Sequence, residues 1–306
     1  MNISLRSETS TWLAVDCGTS RLRIWLMHAD GTVLGEVSSK CNIAQLDADQ
    51  FYSFFIKLAE PFLWNEQNIP VLACGMICAK QGWQEAPYLS VPCHPLNLYQ
   101  AVTKIPQSDE RFNLHVMPGV KQKKPADVVR GEETQIAGFL NTHPQFDGVL
   151  CLAATHTKWV RISAKEIVNF RTFMTGELYY LLSRQSVLKY SVADPGWSEP
   201  DFLEAVDDAI SSPHKLSARL FGLRAEGLIN EMPADVARAR LSGYLIGLEL
   251  SGAKPYWLGQ DLVAIGAPKL SGLYAIALKA QGLSCRMLRD DDMALEGLRV
   301  AHKALQ

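Results

Sequence analysis

Two stretches of this chain, one opening at Trp12 and the other at Val149, run through the same order of local patterns. Each starts with a short apolar run, 12–16 and 149–154, and turns through polar residues that include a threonine, 17–20 and 155–157. Each continues as two extended runs joined by a turn and closes on a helical pattern. In the first stretch, 21–27 alternates with period two and sets Leu22, Ile24 and Leu26 on one face. Asp30-Gly31 is a hairpin dipeptide, 32–38 is the next strand, and 48–65 carries Phe51, Phe54, Phe55, Leu58 and Phe62 at helical spacing. In the second, 158–163 and 167–173 flank a turn at 164–166, and a helix runs from Thr175 to Arg184. With Thr19 laid on Thr155 the flanking elements align. The expectation is an α/β chain of two domains with related topology, facing each other.

The 306 residues agree with two domains. Residues 70–75 read as a buried strand entering a glycine turn. Between 198 and 250 the pattern is helical, with 201–210 and 216–230 as separate amphipathic pieces. Small residues at helical spacing in 242–252 predict a close-packed core helix, because Arg240 and Glu249 sit too close together for a membrane dimer face. The end alternates again: strand 261–265, a turn at Gly266, helix 270–281, strand 284–288 and helix 292–305. Thirty basic and 32 acidic residues leave a net charge of −2, which favours neither nucleic acid nor an anionic membrane as partner. Apolar runs fall far short of the roughly 18 residues needed to span a bilayer. No basic segment followed by an apolar one opens the chain, so a cytoplasmic protein with free thiols is expected. Cys74, Cys78, Cys93 and His94 match no zinc spacing.

Neither a phosphate-binding loop of the G-x-x-x-x-G-K-[ST] type nor a G-x-G-x-x-G fingerprint occurs, and H-E-x-x-H and G-x-S-x-G are absent too. What remains is Asp16-Cys-Gly18-Thr19-Ser20-Arg21, a carboxylate at a strand end followed by glycine and hydroxyl residues in a hairpin. Such a turn presents backbone N–H groups to an anion, and Asp16 is suited to hold a hydrated Mg²⁺. A plain Asx-type turn is the alternative. Thr155-His156-Thr157-Lys158 occupies the repeated position, so two hairpins are available to grip one polyphosphate. Taken singly, His156 also reads as a packing histidine and Lys158 as a solvated strand charge. In the densest polar cluster, Asp127 to Gln135, Arg130 suits a substrate site and a carboxylate there is placed to accept a hydroxyl proton. The alternative is that Glu132 and Glu133 only complement a helix dipole. A third cluster, with Lys80, Gln81, Trp83, Glu85 and Tyr88, mixes hydrogen-bonding groups with a flat apolar wall, as a sugar pocket requires. A surface loop with a tucked Trp83 is the other reading.

These strings also resemble a known family. Asp16-x-Gly-Thr with Arg21-x-Arg23-x-Trp25, Gln81-Gly-Trp83-x-Glu85-Ala-Pro-Tyr88, Arg130-Gly-Glu-Glu-Thr-Gln135, Thr155-His-Thr-Lys-Trp159 and Phe173-Met-Thr-Gly-Glu-Leu178 are similar to those of the 2-dehydro-3-deoxygalactonokinases. That family belongs to the superfamily of sugar kinases, actin and heat-shock ATPases. The resemblance runs nearly end to end. It implies two ribonuclease-H-like, actin-like ATPase domains of duplicated topology around a central cleft. Residues 1–145 would carry the sugar-acid site and the first phosphate hairpin, and 146–306 the second hairpin and the adenosine site. It further implies Mg-ATP-dependent phosphorylation of the C6 hydroxyl of 2-dehydro-3-deoxy-D-galactonate during D-galactonate breakdown.

Residue by residue, the resemblance assigns Asp16, Gly18 and Thr19 to the first phosphate hairpin and its Mg²⁺, and Thr155 and Thr157 to the second. Gly266 and Ala267, followed by Leu270 and Tyr274, look like the adenosine side. Glu132 matches the catalytic base, with Asp127 and Glu133 as rivals. Arg130, Lys158 and Lys80 are candidates for the substrate carboxylate, a bidentate grip suiting arginine. Ala153-Ala154 stand where the family carries Pro-Gly, and the lost glycine is expected to restrict the approach of backbone N–H groups to phosphate. A kinase of another short sugar acid, or a catalytically silent nucleotide- or sugar-binding protein of the same fold, are the alternatives. ATP and a small sugar acid are the expected partners, and nothing in the sequence indicates an oligomeric state.

Overall fold

The computed structural model describes residues 11–40, 46–63, 68–79, 83–106, 109–192 and 196–306. The chain divides into two units. One comprises Met1–Asp147, Ile162–Asn169 and Asp290–Gln306, the other Gly148–Arg161 and Phe170–Arg289. Among the described residues no helix is long and apolar enough to cross a membrane.

The first unit begins with three strands, β1 (Thr11–Cys17), β2 (Arg21–His28) and β3 (Val33–Lys40), paired antiparallel in sequence order. Their register sets Asp16 opposite Arg23 and Val15 opposite Ile24. Helix α1 (Ala48–Leu63) buries Phe51, Phe55, Ala59 and Leu63, the i, i+4 stripe of an amphipathic helix. Strand β4 (Ile69–Gly75) is buried throughout and runs parallel to β1, with Asp16 beside Cys74 and Cys17 beside Gly75. The short strands β5 (Tyr88–Ser90), β6 (Thr103–Lys104), β7 (Phe112–Val116), β8 (Gly119–Lys123) and β9 (Ala126–Val129) follow, and then helix α2 (Glu132–Thr142). The main sheet has the order β3-β2-β1-β4-β7-β6, and β5, β8 and β9 form a separate small sheet. The sequence pattern does not announce that small sheet.

A second sheet has the order β12-β11-β10-β13-β14 and belongs to the second unit apart from the hairpin end of β11 and β12, Ile162–Asn169, which groups with the first. Strands β10 (Gly148–Ala153), β11 (Thr157–Ser163) and β12 (Glu166–Phe173) open it. Ala164 and Lys165, both with positive φ, turn the chain between β11 and β12, as a two-residue hairpin loop demands. Helices α3 (Thr175–Gln185), α4 (Glu199–Ser211), α5 (Leu216–Ile229), α6 (Ala234–Gly252) and α7 (Lys254–Trp257) come next. Gly243 and Gly247 bring α6 against the backbone of Phe202 and Val206 in α4, so 242–252 is the core helix that its small residues predict. Strand β13 (Leu262–Gly266), helix α8 (Pro268–Ala280) and strand β14 (Arg286–Leu288) complete the unit, and β13 pairs parallel with β10 and β14.

The first segment of the first unit ends at Asp147, two residues beyond the expected boundary at 145. The final helix, α9 (Asp290–Leu305), groups with the first unit rather than with 146–289. The reason is packing: α9 lies along α2, and His302 stacks on Trp12 of β1 with ring centroids 3.9 Å apart.

Candidate active site

At the end of β1 the Asp16 carboxylate is buried. The guanidinium of Arg23, its direct cross-strand partner, ion-pairs with it, and Cys74 Sγ lies 3.6 Å from the other oxygen. Burial pushes the Asp16 carboxyl above its ordinary range, and Arg23 opposes that shift. Arg23 also meets Asp290 at 3.7 Å and pairs with Asp291 at the start of α9. Gly18 N–H closes the turn on Arg21 C=O at 2.9 Å, leaving Thr19 half-buried and Ser20 exposed at the tip. Arg21 faces Asp291 at 3.6 Å.

The start of α2 is held beside this turn by close backbone packing. Gly75 has φ 86° and lies directly on the carbonyl of Cys17, where any Cβ would overlap that oxygen. Gly131, at φ 103°, in turn packs so that a Cβ would sit 3.1 Å from Gly75 Cα. The chain therefore enters α2 against the carboxyl ends of β1 and β4, and Glu132 is its first residue. Glu132 Oε2 accepts from Arg130 N–H at 3.1 Å. Glu133 is buried, with its carboxylate on Gly131 N–H at 2.9 and 2.7 Å and on the Thr134 hydroxyl at 3.1 Å. Burial, aided by the Glu132 charge, pushes the Glu133 carboxyl up to about 7. Asp127 lies on β9, its carboxylate on Val128 N–H.

Arg130 is stacked over the Tyr88 ring at 4.1 Å and donates to Tyr88 Oη at 3.1 Å and to the Ala86 carbonyl at 2.9 Å. Trp83 packs among Phe51, Tyr52, Phe55 and Phe112, so its ring continues the core over α1. Glu85 is exposed. Lys80 and Gln81 lie outside the described residues.

In the second unit the turn after β10 carries Ala154 exposed and Thr155 and His156 half-buried. Neither Ala153 nor Ala154 has positive φ, so the backbone here does not require the missing glycine. His156 Nε2 contacts Glu177 at 2.6 Å, and Glu177 N–H donates to the Thr155 carbonyl at 3.0 Å, fastening the turn to the start of α3. Lys158 is buried on β11. Thr157 is fully buried, and its hydroxyl meets Tyr274 Oη at 2.8 Å rather than pointing out of the turn. Tyr274 in turn donates to Glu249 Oε2 at 2.7 Å. Trp159 Nε1–H donates to Glu249 Oε1 at 2.7 Å, and the Thr175 hydroxyl donates to Oε2.

Above this network lies a cavity of about 440 Å³. Thr175, Gly176, Ala267, Leu270 and Tyr274 line it, together with Trp197, Arg238 and Lys269. Gly266, the last residue of β13, directly precedes Ala267 and does not itself line the cavity. The expected adenosine residues Ala267, Leu270 and Tyr274 are thus brought together around one largely apolar space. Trp197, Arg238, Lys269 and Glu249 were not expected at a site. Glu249 alone left a trace in the sequence, a lone carboxylate in the apolar run Gly243-Tyr-Leu-Ile-Gly-Leu-Glu-Leu250.

Among the described residues no group of three or more His, Cys, Asp or Glu side chains is placed to hold a metal alone. Asp16, the carboxylate beside the Gly18–Thr19–Ser20 turn, is the residue that would serve the other mode of binding. Mg²⁺ keeps several waters and takes one or two carboxylates beside substrate phosphates, and a carboxylate beside a hydroxyl-rich turn is such a donor.

Comparison with known proteins supplies the next observation. The family model described as 2-keto-3-deoxy-galactonokinase matches residues 16–301. A Rhizobium meliloti (strain 1021) protein named Probable 2-dehydro-3-deoxygalactonokinase DgoK1 is 34% identical over 304 residues, covering 96% of this chain and 97% of its own length. The 2-dehydro-3-deoxygalactonokinase of Escherichia coli (strain K12) is 29% identical, covering 96% of this chain and 98% of its own. A crystal structure from Sinorhizobium meliloti, provisionally assigned the same activity, superposes with a TM-score of 0.86 at 34% identity, covering 96% of both chains.

Proposed function

The chain belongs to the 2-keto-3-deoxy-galactonokinase family, and from that membership we propose how its residues divide the work of a sugar-acid kinase. It is a phosphotransferase that uses an alcohol acceptor. Its acceptor is 2-dehydro-3-deoxy-D-galactonate, phosphorylated on the C6 hydroxyl. The observation that carries the residue assignment is the backbone stack of Cys17, Gly75 and Gly131, which seats the start of α2 beside the turn bearing Asp16, Gly18 and Thr19. The shared strand order, a three-strand meander followed by two parallel strands, supports reading the halves as ribonuclease-H-like domains of duplicated topology.

Glu132 takes the proton of the attacking hydroxyl as its oxygen bonds to the γ-phosphorus and the bridging oxygen departs with ADP. Glu133, its oxygens occupied by Gly131 N–H, holds the Gly131 turn rather than receiving that proton. Gly18, Thr19, Ser20 and Arg21 supply donors to the phosphates in the first unit, Thr155 and His156 in the second. Thr157 supports the second turn from inside. Asp16 would hold Mg²⁺, which when bound neutralises charge on the transferring phosphoryl group. Arg130, Lys158 and Lys80 are assigned to the substrate carboxylate, with Gln81, Trp83, Glu85 and Tyr88 forming or supporting the sugar-acid pocket. The 440 Å³ cavity takes adenosine.

A coupled ADP-release assay tests this. Wild type should turn over Mg-ATP with 2-dehydro-3-deoxy-D-galactonate in preference to other short sugar acids. Glu132→Ala should lose about 100-fold or more in kcat while folding normally. Turnover retained in Glu132→Ala would remove Glu132 as base, and with it the purely structural role given to Glu133, and leave Asp127 and Glu133 as the rivals. A different preferred sugar acid would overturn the substrate assignment.

A further inference from the structure

The proposed mechanism makes no use of Glu249, yet this carboxylate is 2% exposed and four elements converge on it. It stands on α6 and receives Trp159 from β11, Thr175 from the first turn of α3 and Tyr274 from α8. Tyr274 links it onward to Thr157, the first residue of β11. Two of these partners, Thr175 and Tyr274, line the 440 Å³ cavity. The other two anchor the strand that leaves the Thr155–Thr157 turn.

We propose that Glu249 is the positioning residue of the nucleotide side: in its ionised form it fixes the cavity wall and the second hairpin in one arrangement, so that its protonation loosens adenosine binding. The inference rests on the cavity being the adenosine site. An ionised carboxylate only accepts hydrogen bonds, and here it meets three donors at once. Once protonated it loses the charge that strengthens all three bonds, and its new O–H must find an acceptor among groups that are donating to it. Thr175 and Tyr274 are hydroxyls able to turn, whereas the Trp159 indole is not. Protonation therefore acts first on the two groups facing the cavity.

The titratable groups facing Glu249 are the Tyr274 phenol from α8 and the Cys151 thiol from β10. Burial pushes both upward, so both stay neutral near pH 7. From α3 and β11 the groups that hydrogen-bond to it, among the described residues, are Thr175 and Trp159. Of the ion pairs that α4 and α5 contribute around α6, Asp201 and Glu204 with Arg240 lie nearer its start and Arg219 with Asp208 lies beside Tyr244 in its middle, and neither is among the groups that shift Glu249. Among the described residues no cation acts on it: burial pushes the Glu249 carboxyl up to about 7, and its three donors pull the other way.

Calorimetric titration with adenosine, which carries no group ionising between about pH 6 and 8, isolates this effect. Wild type should bind about tenfold more weakly at the lower pH than at the higher, the worth of one hydrogen bond to a charged group. Glu249→Gln should bind at the weaker level throughout with no pH dependence, and its KM for ATP should rise more than its kcat falls. Tyr274→Phe, which removes one donor and keeps the ring, should move the midpoint of the pH profile upward. A Glu249→Gln protein with the wild-type profile overturns the proposal, and so does a Tyr274→Phe profile with an unmoved midpoint if Glu249→Gln fails to fold. Wild type that binds neither adenosine nor ATP overturns the adenosine-site reading as well, and sugar-acid turnover is not needed to distinguish the two.

Discussion

The carboxyl ends of β1 and β4 and those of β10 and β13 are the same piece of geometry put to different uses. In each sheet the first and fourth strands run parallel and finish together on a small residue, Cys17 beside Gly75 and Ala153 beside Gly266. The first pair is surrounded by charge: Asp16, Arg23, Asp291 and the Glu132–Glu133 start of α2. The second pair carries none at the equivalent strand positions, and its turn opens beside a cavity lined by Ala267, Leu270, Leu273 and Tyr274. Strand order decides where the chain ends abruptly and exposes turn N–H groups. A few residues at those ends then decide whether the place is charged or apolar.

The largest expected effect of breaking this asymmetry is at Asp16. Asp16→Asn keeps the shape and removes the charge, and Arg23 retains Asp291 as partner, so folding should survive. The expected loss is about a thousandfold in kcat, measured by ADP release, in the range seen when a preorganised electrostatic group is removed. A loss below tenfold would mean that the first strand end is no more charge-dependent than the second.

The strand-end glycines should give the next largest difference. Gly75 has φ 86° and rests on the Cys17 carbonyl, so alanine there meets both strain and overlap. At Gly266 the φ is not positive, and the added Cβ would lie 2.6 Å from the Ala153 carbonyl. Gly75→Ala should cost about 3 kcal/mol in denaturant unfolding and Gly266→Ala roughly half of that. Equal costs would show that the two ends tolerate side chains alike.

Each unit also holds one buried glutamate raised to about 7, Glu133 and Glu249. A carboxyl that holds its proton more tightly folded than unfolded adds stability below its unfolded value near 4.5, and loses it as pH rises through about 7. Asp30, lowered to about 2, and Asp109 and Asp201, also lowered, act below that window. His302, held neutral down to about 4 by burial, and His115 act in the opposite direction within it. The informative measurement is therefore the difference in Tm between wild type and each Glu→Gln variant from pH 5 to 7.5. That difference should shift in the variant's favour by several degrees as pH rises, for Glu133 and Glu249 alike. A flat difference for either one would mean that its carboxyl is not raised.

Much of this was legible beforehand, and the rest was hidden for physical reasons. Both meanders, the buried β4 and the core helix α6 follow from alternation and small-residue spacing, which are local signals. The β5-β8-β9 sheet was not legible, because three- to five-residue strands such as Gly-Val-Lys-Gln-Lys carry too little pattern. The turns after β1 and β10, the start of α2 and the start of α8 were all marked by their residues as elements, while their roles are proposals. Sequence could not show that Thr157 turns inward to Tyr274, 117 residues away, or that Trp83 completes the aromatic cluster over α1. Nor could it pair Arg130 with Tyr88. A side chain's direction depends on partners distant along the chain, so the position was readable and the orientation was not.

The smallest expected effect comes from Ala154→Gly, which puts the family's glycine back into the second hairpin. If the missing glycine limited this half, the substitution would raise kcat. The structure argues otherwise, since Ala154 has no positive φ and its methyl is exposed. The turn is fixed instead by Glu177 N–H on the Thr155 carbonyl, by His156 on Glu177, and by Thr157 on Tyr274. None of these contacts involves the residue at 154. Glycine should therefore only enlarge the conformational freedom of the unfolded chain, lowering stability by about 0.5–1 kcal/mol. The kcat and the KM for ATP should stay within about twofold of wild type. A gain of fivefold or more in kcat would show that the second strand end is limited by backbone approach to phosphate.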